Sequence, residues 1–173
     1  DESVIVVDPT TGSRVTIDTA GANVHALAWS PDAPVLWWAA GHAGIFGRGI
    51  EGADIHAIRF DATGGTLRIA EERSFTLDLD PQRTVRGLDA MAVSPDGRTL
   101  AFRARTEGWL RSDVVLVEDA GGDATFINPA PPGEPWIAAW SGIRWTPDGT
   151  GVVVEVGEAA GTDAAIIRPS ILP

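Results

Sequence analysis

The sequence predicts an all-β fold assembled from repeated four-stranded antiparallel units, and three observations carry that prediction. Large apolar residues alternate with small or polar ones over short stretches, the period-two signature of a strand with one face turned inward. These stretches are joined in pairs by clusters of Pro, Asp and Gly, residues that supply the fixed φ, the local capping and the positive φ of tight turns. One strand–turn–strand pattern also returns along the 173 residues, which marks a repeat architecture.

The returning pattern is Ala26-Leu27-Ala28-Trp29-Ser30-Pro31-Asp32, then Ala90-Met91-Ala92-Val93-Ser94-Pro95-Asp96-Gly97, then Gly142-Ile143-Arg144-Trp145-Thr146-Pro147-Asp148-Gly149. A second strand follows each turn, at residues 35–39, 99–104 and 151–156, so each copy is a hairpin. A second kind of hairpin alternates with the first. It comprises residues 3–8 and 14–17 around Pro9 and Gly12, residues 55–61 and 67–70 around Gly64-Gly65, and residues 114–119 and 124–127 around Gly121-Gly122. Residues 164–169 open a fourth copy. One hairpin of each kind makes a four-stranded unit, with strands A and B from the first kind and C and D from the second.

Met91-Ala92-Val93-Ser94-Pro95-Asp96-Gly97-Arg98-Thr99-Leu100-Ala101-Phe102 resembles the "WSPDG-x-x-LAF" run of TolB-like, PD40-type (WD40-like) β-propeller repeats. Trp29-Ser30-Pro31-Asp32 and Trp145-Thr146-Pro147-Asp148-Gly149 are weaker copies, the first with Ala33 where the family has Gly. The resemblance covers nearly the whole chain. It implies a β-propeller of radial four-stranded blades and says little about function. The turns recur at Ser30, Ser94 and Thr146, intervals of 64 and 52 residues, longer than the ~40–50 of an ordinary blade.

In blades, the chain reads as a remnant (3–18), two full units (25–70 and 89–127) and a partial one (140–173), about three and a half in a single segment spanning 1–173. Closed propellers hold about 4–8 blades, so three arrangements follow. The chain is a segment of a longer propeller, two copies close one ring as a homodimer, or an open arc is capped by a partner. Its start at Asp1-Glu2, with no methionine and no signal-like apolar stretch, reads as a trimmed product or part of a longer polypeptide.

Composition removes several classes of function. The formal net charge is −11, from 24 acidic against 13 basic residues, without the basic footprint that nucleic acid requires. No apolar run reaches the roughly 18–20 residues of a membrane-spanning helix. Cysteine is absent, which excludes disulfides and thiolate metal sites. His25, His42 and His56 form no zinc-binding spacing, no G-x-S-x-G elbow occurs, and the acidic runs lack the oxygen spacing of a calcium loop. No catalytic constellation or cofactor motif emerges, and the chain reads as a non-enzymatic module.

Strands that alternate in direction place the A–B and C–D turns on one rim and the B–C and D–A connections on the other. The first rim is tight throughout, whereas the second collects the extra length at residues 40–54, 71–88 and 129–140. Long loops on a rigid scaffold are where binding usually resides. Candidate contacts there are His42, Arg48 and Glu51 in a glycine-rich stretch, together with Trp109, Trp136 and Trp140. Gly47-x-Gly49-x-x-Gly52 lacks the strand-to-helix setting that makes such a motif a phosphate cradle. Five positions before each repeat's Ser or Thr stand His25, Asp89 and Ser141, polar groups at matching places on the innermost strands. Trp29 and Trp145 share one repeat position with Val93 and are expected to pack between blades. Of Trp37 and Trp38, neighbours on one strand, one is expected inside while the other is able to face outward.

The leading functional expectation is a binding or assembly module that uses the long-loop rim. Its partner is a protein or the remaining blades of the same propeller. The family resemblance implies an extracytoplasmic setting, periplasmic or secreted. Two alternatives are a substrate-gating propeller of a prolyl-oligopeptidase-like hydrolase and a lectin-like module using the rim tryptophans.

Overall fold

A computed structural model describes residues 3–41, 52–78, 85–106, 111–119, 121–127, 142–158 and 161–167. Within them lie thirteen strands and a single 3-10 turn at Thr63–Gly65. The first sheet pairs β1 (Ser3–Val7) with β2 (Arg14–Asp18). The second runs in order through β3 (Val24–Trp29), β4 (Val35–Gly41), β5 (Gly52–Asp61) and β6 (Arg68–Asp78). The third contains β7 (Val85–Val93), β8 (Thr99–Thr106), β9 (Arg111–Glu118) and β10 (Thr125–Ile127), again in chain order. In the fourth are β11 (Ile143–Trp145), β12 (Val152–Glu158) and β13 (Gly161–Ile167). Every pairing is antiparallel, so the all-β, partial-propeller architecture stands: two complete four-stranded sheets between a two-stranded and a three-stranded one.

The first strands of the sheets lie side by side, β7 against β3 and β11 against β7. Because side chains on a strand alternate between faces, each sheet serves two interfaces. Trp37, Ile55, Leu100, Phe102 and Val115 fill the space between the second and third sheets. Val6, Ile17, Leu36, Trp38 and Ile58 fill the space between the first and second. Ala101, Val114, Ile143 and Val152 do the same between the third and fourth.

Two expectations about tryptophan are corrected here. Trp37 and Trp38 are both buried, because the second sheet is covered on both faces and leaves neither neighbour a solvent side. Trp29 is not core packing: it is half exposed, with its ring 5.7 Å from that of Phe60. Its face looks toward the first sheet, in which two strands are described. Trp145, at the same repeat position, is partly buried, and its Nε1 donates a hydrogen bond to the Ala92 carbonyl on β7 at 3.3 Å.

The Ser/Thr-Pro-Asp turns close alike. Ser30, Ser94 and Thr146 each donate their hydroxyl to the aspartate two residues on, Asp32, Asp96 and Asp148, at 2.6, 2.6 and 2.5 Å. In the second and third copies the same oxygen accepts the backbone N–H of Thr99 at 2.9 Å and of Gly151 at 3.0 Å. Gly97 and Gly149 supply the positive φ, 73° and 71°. Position 97 also sits against the preceding turn, since a Cβ there would lie 2.8 Å from an Asp32 carboxylate oxygen.

The strands run further into the second rim than expected. β6 reaches Asp78 and β7 begins at Val85, so most of the segment 71–88 is sheet rather than loop. As the outermost strand, β6 is exposed along much of its length, which erases the apolar alternation that would have marked it in the sequence.

Candidate binding rim

The described strands turn at one rim between Val7 and Arg14, Trp29 and Val35, Asp61 and Arg68, Val93 and Thr99, Glu118 and Thr125, and Trp145 and Val152; at the other rim they break off at Asp18 and Val24, Gly41 and Gly52, Asp78 and Val85, Thr106 and Arg111, Ile127 and Ile143, and Glu158 and Gly161. The expected difference in length between the rims therefore narrows to two connections, 42–51 and 128–142. These hold His42, Arg48 and Glu51 in the first and Trp136, Trp140 and Ser141 in the second; Trp109 belongs to the short connection 107–110. All seven lie outside the described residues. His25 and Asp89 are described: His25 is the second residue of β3, at this rim, whereas Asp89 is the fifth of the nine residues of β7, midway along the strand.

His25 is exposed on β3, where the register shifts between Val24 and Ala26. A bulge of this kind leaves one residue without a cross-strand partner and re-aims the strand. β7 carries two such shifts, between Val85 and Gly87 and between Asp89 and Met91, and Ala90 adopts φ 53° in the second. A bulge therefore marks the rim end of each inner strand, and β7 carries a second at its middle.

Asp89 makes the best-defined charge contacts of β7. Its Oδ1 meets Arg103 Nε at 2.6 Å and its Oδ2 meets Arg105 Nε at 2.8 Å. The first contact is a hydrogen-bonded ion pair, while the second is close but lacks hydrogen-bond alignment. Arg103 is the cross-strand partner of Asp89 and Arg105 lies two residues further along the same face, so the strand period alone sets both guanidinium groups over one carboxylate. Asp113, buried like Arg103, is the third residue of β9 and the cross-strand partner of Ala104.

Sequence reading overlooked Arg103 and Arg105 because a chain with arginine as its only long cation dilutes the meaning of each one. The available signal was Arg-x-Arg on the strand facing an aspartate across a turn of known register. At the corresponding end of the second sheet, Thr76 Oγ1 donates to Asp54 at 2.9 Å. The His56 ring stacks on Trp38 with centroids 3.8 Å apart. Burial pushes the His56 imidazole below its usual range, against the opposing pull of the Asp54 and Glu72 carboxylates.

The opposite rim is not featureless. A groove of about 690 Å³ opens between the third and fourth sheets, lined by Pro95, Thr99, Glu118, Asp123, Trp145 and Gly149 among others. Asp96 and Asp148 also border it, but their carboxylates are committed to the turn hydroxyls of Ser94 and Thr146. Among the described residues no group of three or more His, Asp or Glu is arranged to hold a metal ion.

Comparison with solved structures adds to this geometry. Superposition on TolB from Acinetobacter baumannii gives a TM-score of 0.55 at 17% identity, over 96% of this chain and 37% of that one. The fold is that of a TolB-like β-propeller. A second similar structure is the periplasmic gluconolactonase PpgL of Pseudomonas aeruginosa, with a TM-score of 0.50 at 18% identity, over 94% of this chain and 45% of that one. The TolB-like segment thus spans less than half the length of either neighbour, one of which is named as an enzyme. No protein-family model matches the sequence, and neither does any curated protein. Among the described residues no helix is long and apolar enough to cross a membrane.

Proposed function

We propose that this TolB-like propeller segment is a non-enzymatic binding or assembly module whose contacts with a protein partner lie on the rim of the B–C and D–A connections. The observation that supports this reading is the concentration of extra length in 42–51 and 128–142, both on that rim. Connections of this size on a rigid sheet scaffold commonly carry recognition. His42, Arg48, Glu51, Trp136, Trp140 and Ser141 are the candidate contacts within them, joined by Trp109, His25 and, further along β7, Asp89. The coverage of 37% and 45% of its structural neighbours supports a second part of the reading, that residues 1–173 form one segment of a larger ring, whose remaining blades are also partners. The periplasmic neighbour supports an extracytoplasmic place.

The test is replacement of residues 42–51 by a short Gly-Ser turn. Proteins that co-purify with the full chain are expected to be lost from the variant while its thermal unfolding is unchanged. Retention of the same partners by a folded variant would overturn the rim assignment.

A further inference from the structure

The geometry points to the exposed face of β3 as the seat of a further β-hairpin of the same repeat type, one with small side chains where it covers Leu27 and Trp29. The internal repeat supplies the comparison. Leu27 and Trp29 correspond to Met91 and Val93 in the third sheet, and to Ile143 and Trp145 in the fourth. Met91 and Val93 are each 7% exposed and Ile143 is 5% exposed, whereas Leu27 and Trp29 are 49% and 52% exposed. What covers the buried copies is the same each time. Ala26 and Ala28 of β3 pack in the cluster that holds Met91 and Val93, and Ala90 and Ala92 of β7 pack in the one that holds Ile143 and Trp145. Each first strand thus offers two small residues to the large pair on the next.

The first sheet shows where such a cover would attach. Its turn lies over that of β5 and β6, with Leu67 N–H donating to Ser13 Oγ at 2.9 Å, and β2 lies against β6. β1 and β2 therefore occupy third- and fourth-strand positions. Among the described residues β1 pairs with β2 alone, so its other edge presents backbone groups to a further antiparallel strand. A hairpin bonded there would be the missing first and second strands, and its inner strand would fall over Leu27 and Trp29. The chemistry required is Ala, Gly or Ser at two alternate positions ahead of a Ser/Thr-Pro-Asp turn.

A second copy of this chain fits less well. The corresponding positions on its unoccupied first strand are Gly142 and Arg144, both exposed. Its sheet already has three strands, so joining β13 to β1 would displace β11 outward from Trp29 by one strand spacing, about 4.8 Å. The inference rests on the assembly part of the reading above. Loop replacement at 42–51 leaves β1 and β3 untouched, so the rim assignment and this seat can fail separately.

The chain has no cysteine, which makes a single introduced thiol a clean probe. Leu27→Cys and Trp29→Cys would each be made in the full chain, with Val93→Cys as the buried reference and circular dichroism as the check on folding. A copy of residues 85–106, the β7–β8 hairpin, would then be added ahead of Asp1 through a short Gly-Ser linker. Maleimide modification at positions 27 and 29 is expected to slow about tenfold or more with the added hairpin, toward the rate at 93. No such slowing is expected when the added copy carries Arg in place of its two small residues, Ala90→Arg and Ala92→Arg. Unchanged rates, or equal slowing by both hairpins, would overturn the proposal. Concentration-dependent protection without any added hairpin, with a doubled mass in light scattering, would overturn it in favour of a second copy.

Discussion

At Asp89 a single carboxylate meets two guanidinium groups on one face of a sheet, and the energetic weight of the pair lies in what its loss would strand. Arg103 and Arg105 are largely withdrawn from solvent, where an ion pair gains little over a well-packed apolar cluster but an unmatched charge is costly. Asp89→Asn is therefore expected to lower unfolding stability by about 3 kcal/mol, read from urea denaturation. Recovery of most of that loss by Asp89→Leu combined with Arg103→Met and Arg105→Met would identify unmatched charge as the cause. Tryptophan makes a related point without charge. Trp29 and Trp145 share a repeat position, yet one is half exposed and the other partly buried, because exposure belongs to the neighbouring strand as much as to the residue.

The A–B hairpin is the element that the sequence repeats most faithfully, and its turn explains why. In Thr146-Pro147-Asp148-Gly149 the hydroxyl donates to the carboxylate while accepting a backbone N–H, and the carboxylate accepts the Thr150 N–H at 3.1 Å. Chiefly the Thr146 hydroxyl, then the Thr150 N–H, holds the Asp148 carboxyl down to about 2 from an ordinary 3.8. A carboxyl whose pKa falls on folding contributes stability in full above its unfolded value and loses it as pH drops through the folded one. Urea midpoints are accordingly expected to fall between about pH 4 and pH 2. Thr146→Val should shrink that part of the decline attributable to this turn, because the hydroxyl that separates the two values is gone. An identical pH profile in the variant would show that the turn contributes nothing to it.

For the whole molecule, stability divides among interfaces between successive sheets, as in other repeat architectures where each unit touches only its neighbours. Trp38 belongs to the interface with the first sheet and Trp37 to the interface with the third. Each replacement by Ala is expected to cost about 3–5 kcal/mol. The two should nevertheless leave different traces in hydrogen exchange. Trp38→Ala should release the amides of β1 and β2 first and spare β7 to β10, whereas Trp37→Ala should loosen the contact between the two complete sheets. Loss of protection spread evenly over all four sheets in both variants would show a single cooperative core instead.

By itself, the sequence determined the strand type, the hairpin turns, their antiparallel pairing and the incomplete count of strands, since each of these follows from local alternation and turn chemistry. It also placed His25 and Asp89 on the first strands of their sheets, because strand order follows from hairpin order. Other features were decided only by the tertiary structure. The outer strand β6 is extended through Glu71, Glu72, Arg73 and Ser74, which show no apolar period, as solvent on its exposed side imposes none. Both Trp37 and Trp38 are buried because two sheets sandwich a third, and no strand records how many neighbours it will have. Leu27 and Trp29 are open for the same reason: burial is a property of pairs of sheets, and one partner of that pair has two described strands.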